Sequence, residues 1–241
     1  MRDMVLAQGR TALDSWGGLR QAQAGWSDVR VPLILASIVL IAGCGRVERP
    51  APHRVEASRP SARETAQCLG DLRAQGIAFR ALPDKATGPG CGLFGTVQLL
   101  DLGVPVTGLT AIRCGEARAF SAWVRNGVAP AAYQMLGSEL ARVETFGSYA
   151  CRNVAGQDRR SGHAVANAID VSGFVLRDGR RVTVLADWRQ SNAASDPATR
   201  DFLQAVRRSA CKRFGTVLSP DYNAAHANHL HLENDAARLC R

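Results

Sequence analysis

The hydrophobic pattern divides the chain into three stretches. A largely apolar run, Val31 to Ala42, follows thirty residues of mixed polarity and ends in small residues at Gly43-Cys44. Residues 45–63 are rich in Pro, Arg, Ser and Ala without apolar periodicity, which reads as a linker. Periodic structure begins near Glu64, where "ETAQCLGDLRAQG" has helical spacing closed by Gly76. "IAFRALPD" reads as a strand entering a loop, and "KATGPGCGLFG" as loop by its glycines and proline. Two helices follow, over Gly115 to Asn126 and Ala129 to Leu136, the second with Pro130 in its first turn. The pattern then turns to strands: "ARVETFGSYACR", "NAIDVSGFVL" and "RVTVLADW", the last two joined through Asp178-Gly179 as a hairpin. "DPATRDFLQAVRRSACKRF" is a capped helix opened by Asp196-Pro197. Helices first and hairpins later predict an α+β fold, with an antiparallel sheet flanked by helices, rather than alternating βαβ units.

Composition fits a folded domain over 64–241, since the chain is 46% hydrophobic and 21% charged. The apolar run is too short for a span, which needs roughly 20 apolar residues. A basic flank, a short apolar stretch and Ile41-Ala42-Gly43-Cys44 resemble a bacterial lipoprotein signal over 1–44, with a plain membrane anchor as the competing reading. The expected product is exported to the periplasm, tethered to an envelope membrane through lipidated Cys44, with His53 a solvated linker residue. The long segment ahead of Arg30 fits a signal poorly, and initiation at Val29 would remove it.

The net charge of +9 suits an anionic partner such as a cell-wall polymer or phospholipid headgroups. Nucleic acid is not expected, because no aromatic-interleaved basic patch is present. Of seven cysteines, lipidation of Cys44 leaves Cys68, Cys91, Cys114, Cys151, Cys211 and Cys240. In an oxidising compartment these make three disulfides. The expected pairs are Cys68 with Cys91, Cys151 with Cys211, and Cys114 with Cys240, and the domain is expected to be a monomer. Zinc ligation by cysteine is the rival, but no close Cys-x-x-Cys pair exists.

Four of the five histidines fall in two segments, "SGHAVANAIDV" and "HANHLHLE". As a strand, His229-Leu230-His231 puts both imidazoles on one face, a common device for holding metal. Asp170, between Ile169 and Val171, faces away from its apolar neighbours.

"SGHAVANAID" and the later His-x-His resemble the zinc peptidase superfamily of D-Ala-D-Ala metallopeptidases, penicillin-insensitive murein endopeptidase and hedgehog domains. More closely, "GSYACRN", "SGHAVANAIDVSGF", "LADW" and "CKRFGTVLSPDYNAAHANHLHLE" resemble the bacterial extensin-like C-terminal domain family, over roughly Cys68 to Cys240. The resemblance implies Zn2+ on His163, Asp170 and His231, with a fourth position open to water. It implies His229 as general base and acid, His226 as its outer support, and Arg152 as a grip on a substrate carboxylate. Ser161, also on the substrate side, reads as a supporting hydrogen-bonding group rather than a nucleophile, since no activating triad is apparent. The implied activity is hydrolysis of an amide bond in peptidoglycan stem peptides or crosslinks. A wall-binding domain that keeps the metal, and a metal-sequestering protein, use the same residues. Two positions depart from the motifs. Ala166 stands where the superfamily has glycine, and Asn228 stands where the carboxypeptidase branch has its glutamate base. Asp221 and Glu233 are further carboxylates that spacing does not rank.

Overall fold

The computed structural model describes residues 59–189 and 196–241. Cys44, His53 and the expected signal and anchor lie outside them. Among the described residues no helix is long and apolar enough to cross a membrane.

The first helix, α1 (Ala62–Ala74), starts just ahead of Glu64 because Ser61 and Glu64 form a reciprocal capping box. There follow β1 (Ala78–Ala81), β2 (Lys85–Gly88), β3 (Cys91–Leu93), β4 (Thr96–Asp101), β5 (Val106–Thr107) and β6 (Ile112–Arg113). Next, α2 (Cys114–Trp123) runs through a π-helical turn, Val124–Val128, into α3 (Ala129–Leu136). The second half holds β7 (Leu140–Gly147), β8 (Ala168–Leu176), β9 (Arg181–Thr183), α4 (Val184–Asp187), α5 (Pro197–Ala210), β10 (Thr216–Leu218), β11 (Leu230–Glu233) and β12 (Leu239–Cys240).

The main sheet has the order β12-β10-β11-β8-β7-β5, with β9 also on β8. It is antiparallel through its centre and parallel only at the outer pairs β5–β7 and β10–β12. A second sheet orders β1-β4-β6, and β2 pairs with β3. The fold therefore mixes helices with mainly antiparallel sheets, as the sequence predicts. The core joins Ile169, Val171 and Phe174 of β8 and Leu230 and Leu232 of β11 to Trp123 and to Phe202 of α5. Trp123 closes its polar end by donating Nε1–H to Val206 O at 3.0 Å. Burial of these large side chains supplies most of the driving force, at about 1.5–3 kcal/mol each.

Two local expectations fail for identifiable reasons. "KATGPGCGLFG" is the β2–β3 hairpin, built on backbone pairing with little apolar content to announce it. "RVTVLADW" is strand only to Thr183. Thr183 Oγ1 then accepts from Ala186 N and Asp187 Oδ2 from Thr183 N, and this reciprocal cap turns the chain into α4.

The three disulfides differ from the expected pairs: they are Cys68–Cys114, Cys91–Cys151 and Cys211–Cys240. Packing decides the partners, since α1 lies on α2, the β2–β3 hairpin lies on the segment after β7, and the end of α5 lies beside β12. The closed loops span 46, 60 and 29 residues, and chain entropy assigns each bridge about 4 kcal/mol.

One carboxylate sits where a charge does not belong. Glu116, in the first turn of α2, is 0% exposed, and neither oxygen has a hydrogen-bonding partner of normal geometry. Burial raises its pKa well above 4.5, the nearby Asn234 N–H offsets a little of this, and the charges of Glu233 and Asp235 add to it. The unfolded chain ionises near 4.5 while the folded chain holds the proton, so Glu116 lowers stability as pH rises from there to its folded value. Glu116→Gln is expected to gain about 1–3 kcal/mol over wild type at pH 8 and to converge on it below pH 4.5, in denaturant melts across pH. A difference that does not change with pH contradicts the assignment.

Candidate metal centre

Strands β8 and β11 pair so that His231 stands directly opposite Asp170, while Leu230 meets Val171 and Leu232 meets Ile169. Opposite residues share a face, so the apolar alternation sends its leucines, isoleucine and valine into the core and leaves Asp170 and His231 together on the other side. Alternation thus gives two of the three groups the same face, and the pairing of β8 with β11 brings them into contact.

The third comes from a 3-10 turn, Gly162–Val165, that leads into β8. Ser161 caps this turn, its buried Oγ accepting from His163 N at 3.3 Å. Ala166 ends it at φ 53°, the left-handed conformation that a Cβ disfavours by about 1–2 kcal/mol. A backbone conformation that favours glycine is thus taken here by alanine. Two bonds hold it: Ala166 O accepts from Arg113 N at 2.8 Å and from Ser148 Oγ at 3.1 Å. A Cβ at Gly162 would fall 2.3 Å from Glu233 Oε1, so any side chain there displaces the carboxylate behind His231.

His163 Nε2, Asp170 Oδ1 and His231 Nδ1 form a triangle with sides of 3.1, 2.9 and 3.2 Å. They are the one group of three or more such side chains, among the described residues, that could hold a metal ion. The outer nitrogens fix the rings: His163 Nδ1–H donates to Ser148 O at 2.9 Å, and His231 Nε2–H donates to Glu233 Oε2 at 3.4 Å. Both inner nitrogens then present lone pairs to Asp170, and three acceptors this close need a cation or a proton among them. A tetrahedral ion with bonds of about 2.0–2.1 Å separates its donors by about 3.3 Å, close to the observed triangle. The donor set therefore fits a divalent ion of borderline hardness.

Without the ion, a proton takes its place. Burial lowers the pKa of His231, but hydrogen bonds and charge from Asp170 and Glu233 outweigh it and push the value up to about 9. Burial raises that of Asp170, and the bonds from His163 and His231 outweigh it, holding the carboxyl well below its usual range.

Around the triangle the remaining candidates take distinct places. His229 Nε2 lies 3.4 Å from Asp170 Oδ1, and its Nδ1–H donates to Asn228 Oδ1 at 2.9 Å. Asn228 thus orients the imidazole and leaves Nε2 free to accept a proton. Burial lowers the His229 pKa, partly offset by Asp170. His226 is tied through Nδ1 to Asn223 Oδ1 at 2.7 Å, with its ring 5.1 Å from that of His229 and tilted 47° to it; burial, then charge on His229 and His231, lowers its pKa to about 4. Arg152, half-exposed, brings Nη2 to 4.0 Å from Asp170 Oδ2. The Cys91–Cys151 bridge fixes the segment that carries it.

Two carboxylates that spacing leaves unranked separate here. Glu233 is the carboxylate behind His231, while Asp221 accepts from Trp188 Nε1 at 2.9 Å, away from the triangle. Spacing of two along β11 puts Glu233 on the face of His231, which is the signal that could have selected it. Phe146 is a residue that the sequence reading misses. The β7–β8 register shifts between Thr145 and Gly147, so Phe146 bulges out, 60% exposed, with its ring 6.0 Å from His229.

A model of the family described as extensin-like protein C-terminus matches residues 66–241. The chain belongs to this family. No curated protein and no solved structure matches it. Membership covers every residue of the triangle and all six bridged cysteines of this extensin-like domain, and the family description assigns no chemistry to them.

Zn2+ titration of the apo extensin-like domain is expected to bind one equivalent, and His163→Ala to abolish it. Glu233→Gln, which weakens the carboxylate behind His231, is expected to cut affinity about 10–100-fold without changing stoichiometry. Unchanged affinity in both variants places the ion elsewhere.

Proposed function

We propose that the protein is a zinc-dependent peptidoglycan amide hydrolase, a carboxypeptidase or endopeptidase acting on stem peptides or crosslinks, exported and held at the envelope through lipidated Cys44. The observation that carries this reading is the triangle of His163, Asp170 and His231 with a proton-accepting imidazole, His229, beside it. Structural zinc sites close with four protein ligands, whereas catalytic sites use three. The resemblance of "SGHAVANAID" and the His-x-His to the zinc peptidase superfamily supports the same reading.

Bound zinc supplies Lewis acidity, making water nucleophilic near neutral pH and polarising a scissile carbonyl. The chain's own residues supply the rest. His229, held by Asn228 with Nε2 towards the centre, takes the proton of the attacking water and passes it to the leaving amine. Asn228 cannot accept that proton, and in this geometry it does not need to. His226 buttresses His229 from its outer side. Arg152 offers a guanidinium fork to a stem-peptide carboxylate at the edge of the centre. Ser161, buried under the His163 backbone, keeps the turn in place.

Purified sacculi incubated with the zinc-loaded protein are expected to release new muropeptides, and chelator or His163→Ala to stop release. His229→Ala is expected to keep its zinc and lose about 10²–10⁴-fold in kcat. Unchanged muropeptides from the zinc-loaded wild type refute the hydrolase; sacculus binding without cleavage then favours a wall-binding domain.

A further inference from the structure

Beside the metal centre lies a separate cavity of about 480 Å³ between α4 and the loop after β10. That volume falls within the about 300–1,000 Å³ usual for small-molecule sites. Leu185, Trp188 and Tyr222 give it apolar walls, and Arg189, Asp221 and Asn223 give it polar ones. Leu185 is 68% exposed and Tyr222 46%, so two large side chains of one cavity stand open to solvent. Two residues of its lining border the proposed catalytic row: the Tyr222 ring packs 5.6 Å from His226, and Asn223 Oδ1 holds the same imidazole.

The polar groups define the occupant. Asp221 takes the Trp188 N–H at 2.9 Å, and Arg189 Nη2 donates to Pro220 O at 2.6 Å. Those bonds fix a carboxylate and a guanidinium in place, while each group retains further acceptor or donor positions. One acid and one base leave no net charge to select an ion. A neutral ligand with an apolar face and a rim of hydroxyl and amide groups fits such a wall: its C–H face lies on Tyr222 and its polar edge meets Asp221, Asn223 and Arg189. A pyranose, and an N-acetylated one in particular, has that form. We propose that this cavity is a saccharide subsite, and, resting on the hydrolase reading above, that the substrate is a stem peptide still carried on its sugar.

The test uses the zinc-loaded full chain and the β-1,4-linked dimer of N-acetylglucosamine as probe. Wild type is expected to bind it in titrations followed by calorimetry or NMR. Tyr222→Ala and Leu185→Asp are each expected to weaken binding at least about tenfold with zinc content unchanged. No binding by wild type, or binding indifferent to both substitutions, overturns the subsite. The second arm compares a disaccharide-linked stem peptide with the same peptide without sugar. The linked form is expected to gain about tenfold in kcat/KM, and Leu185→Asp to erase the gain. Equal rates overturn the proposal while leaving the hydrolase intact, whereas saccharide binding with no hydrolysis of either peptide leaves the subsite and removes the hydrolase.

Discussion

Everything at the centre depends on the register between β8 and β11, which sets His231 opposite Asp170. A slip of one residue would set His231 opposite Ile169 or Val171, and one strand would then turn its polar group into the core and its apolar residues outward. The hydrophobic alternation on both strands forbids that slip, so the energy that builds the core also aligns the site. With Leu230, Leu232, Ile169 and Val171 all at 0% exposure, the pairing is held from the apolar side of the sheet. The polar side can then carry three mutually repelling acceptors in an arrangement that could hold a cation.

The rest of the site is fixed by connections to that pair. His163 arrives on a short turn ended by strained Ala166, held by bonds from Arg113 and Ser148. Ser148 O also accepts from His163 Nδ1, so one segment supports His163 and the strained residue together. The Cys91–Cys151 bridge ties this segment to the β2–β3 hairpin, with Thr87 and Tyr149 bonded alongside. Glu233 completes the arrangement from β11 itself.

Much of this is legible in the amino-acid pattern alone. Alternation around Asp170 and His231 encodes their shared orientation, Pro130 and Asp196-Pro197 mark helix starts, and Asp178-Gly179 marks the hairpin. What the pattern does not encode depends on contacts distant in sequence. Disulfide partners follow from which elements pack together, and Phe146 reaches His229 through a bulge that periodicity does not register. Glu116 has the sequence context of an ordinary first-turn acid; its burial arises from the elements that cover α2. Asn228 reads in the sequence as a missing base, and only its bond to His229 gives it an orienting role.

The central claim is that two imidazoles and one carboxylate of this domain hold a single zinc ion. X-ray absorption at the zinc edge of the one-equivalent complex tests it most directly. The predicted result is a first shell of nitrogen and oxygen at about 2.0–2.1 Å, with multiple scattering from two imidazoles and no sulfur. A sulfur shell near about 2.3 Å, or three or more imidazoles with His229 or His226 among the ligands, would contradict it.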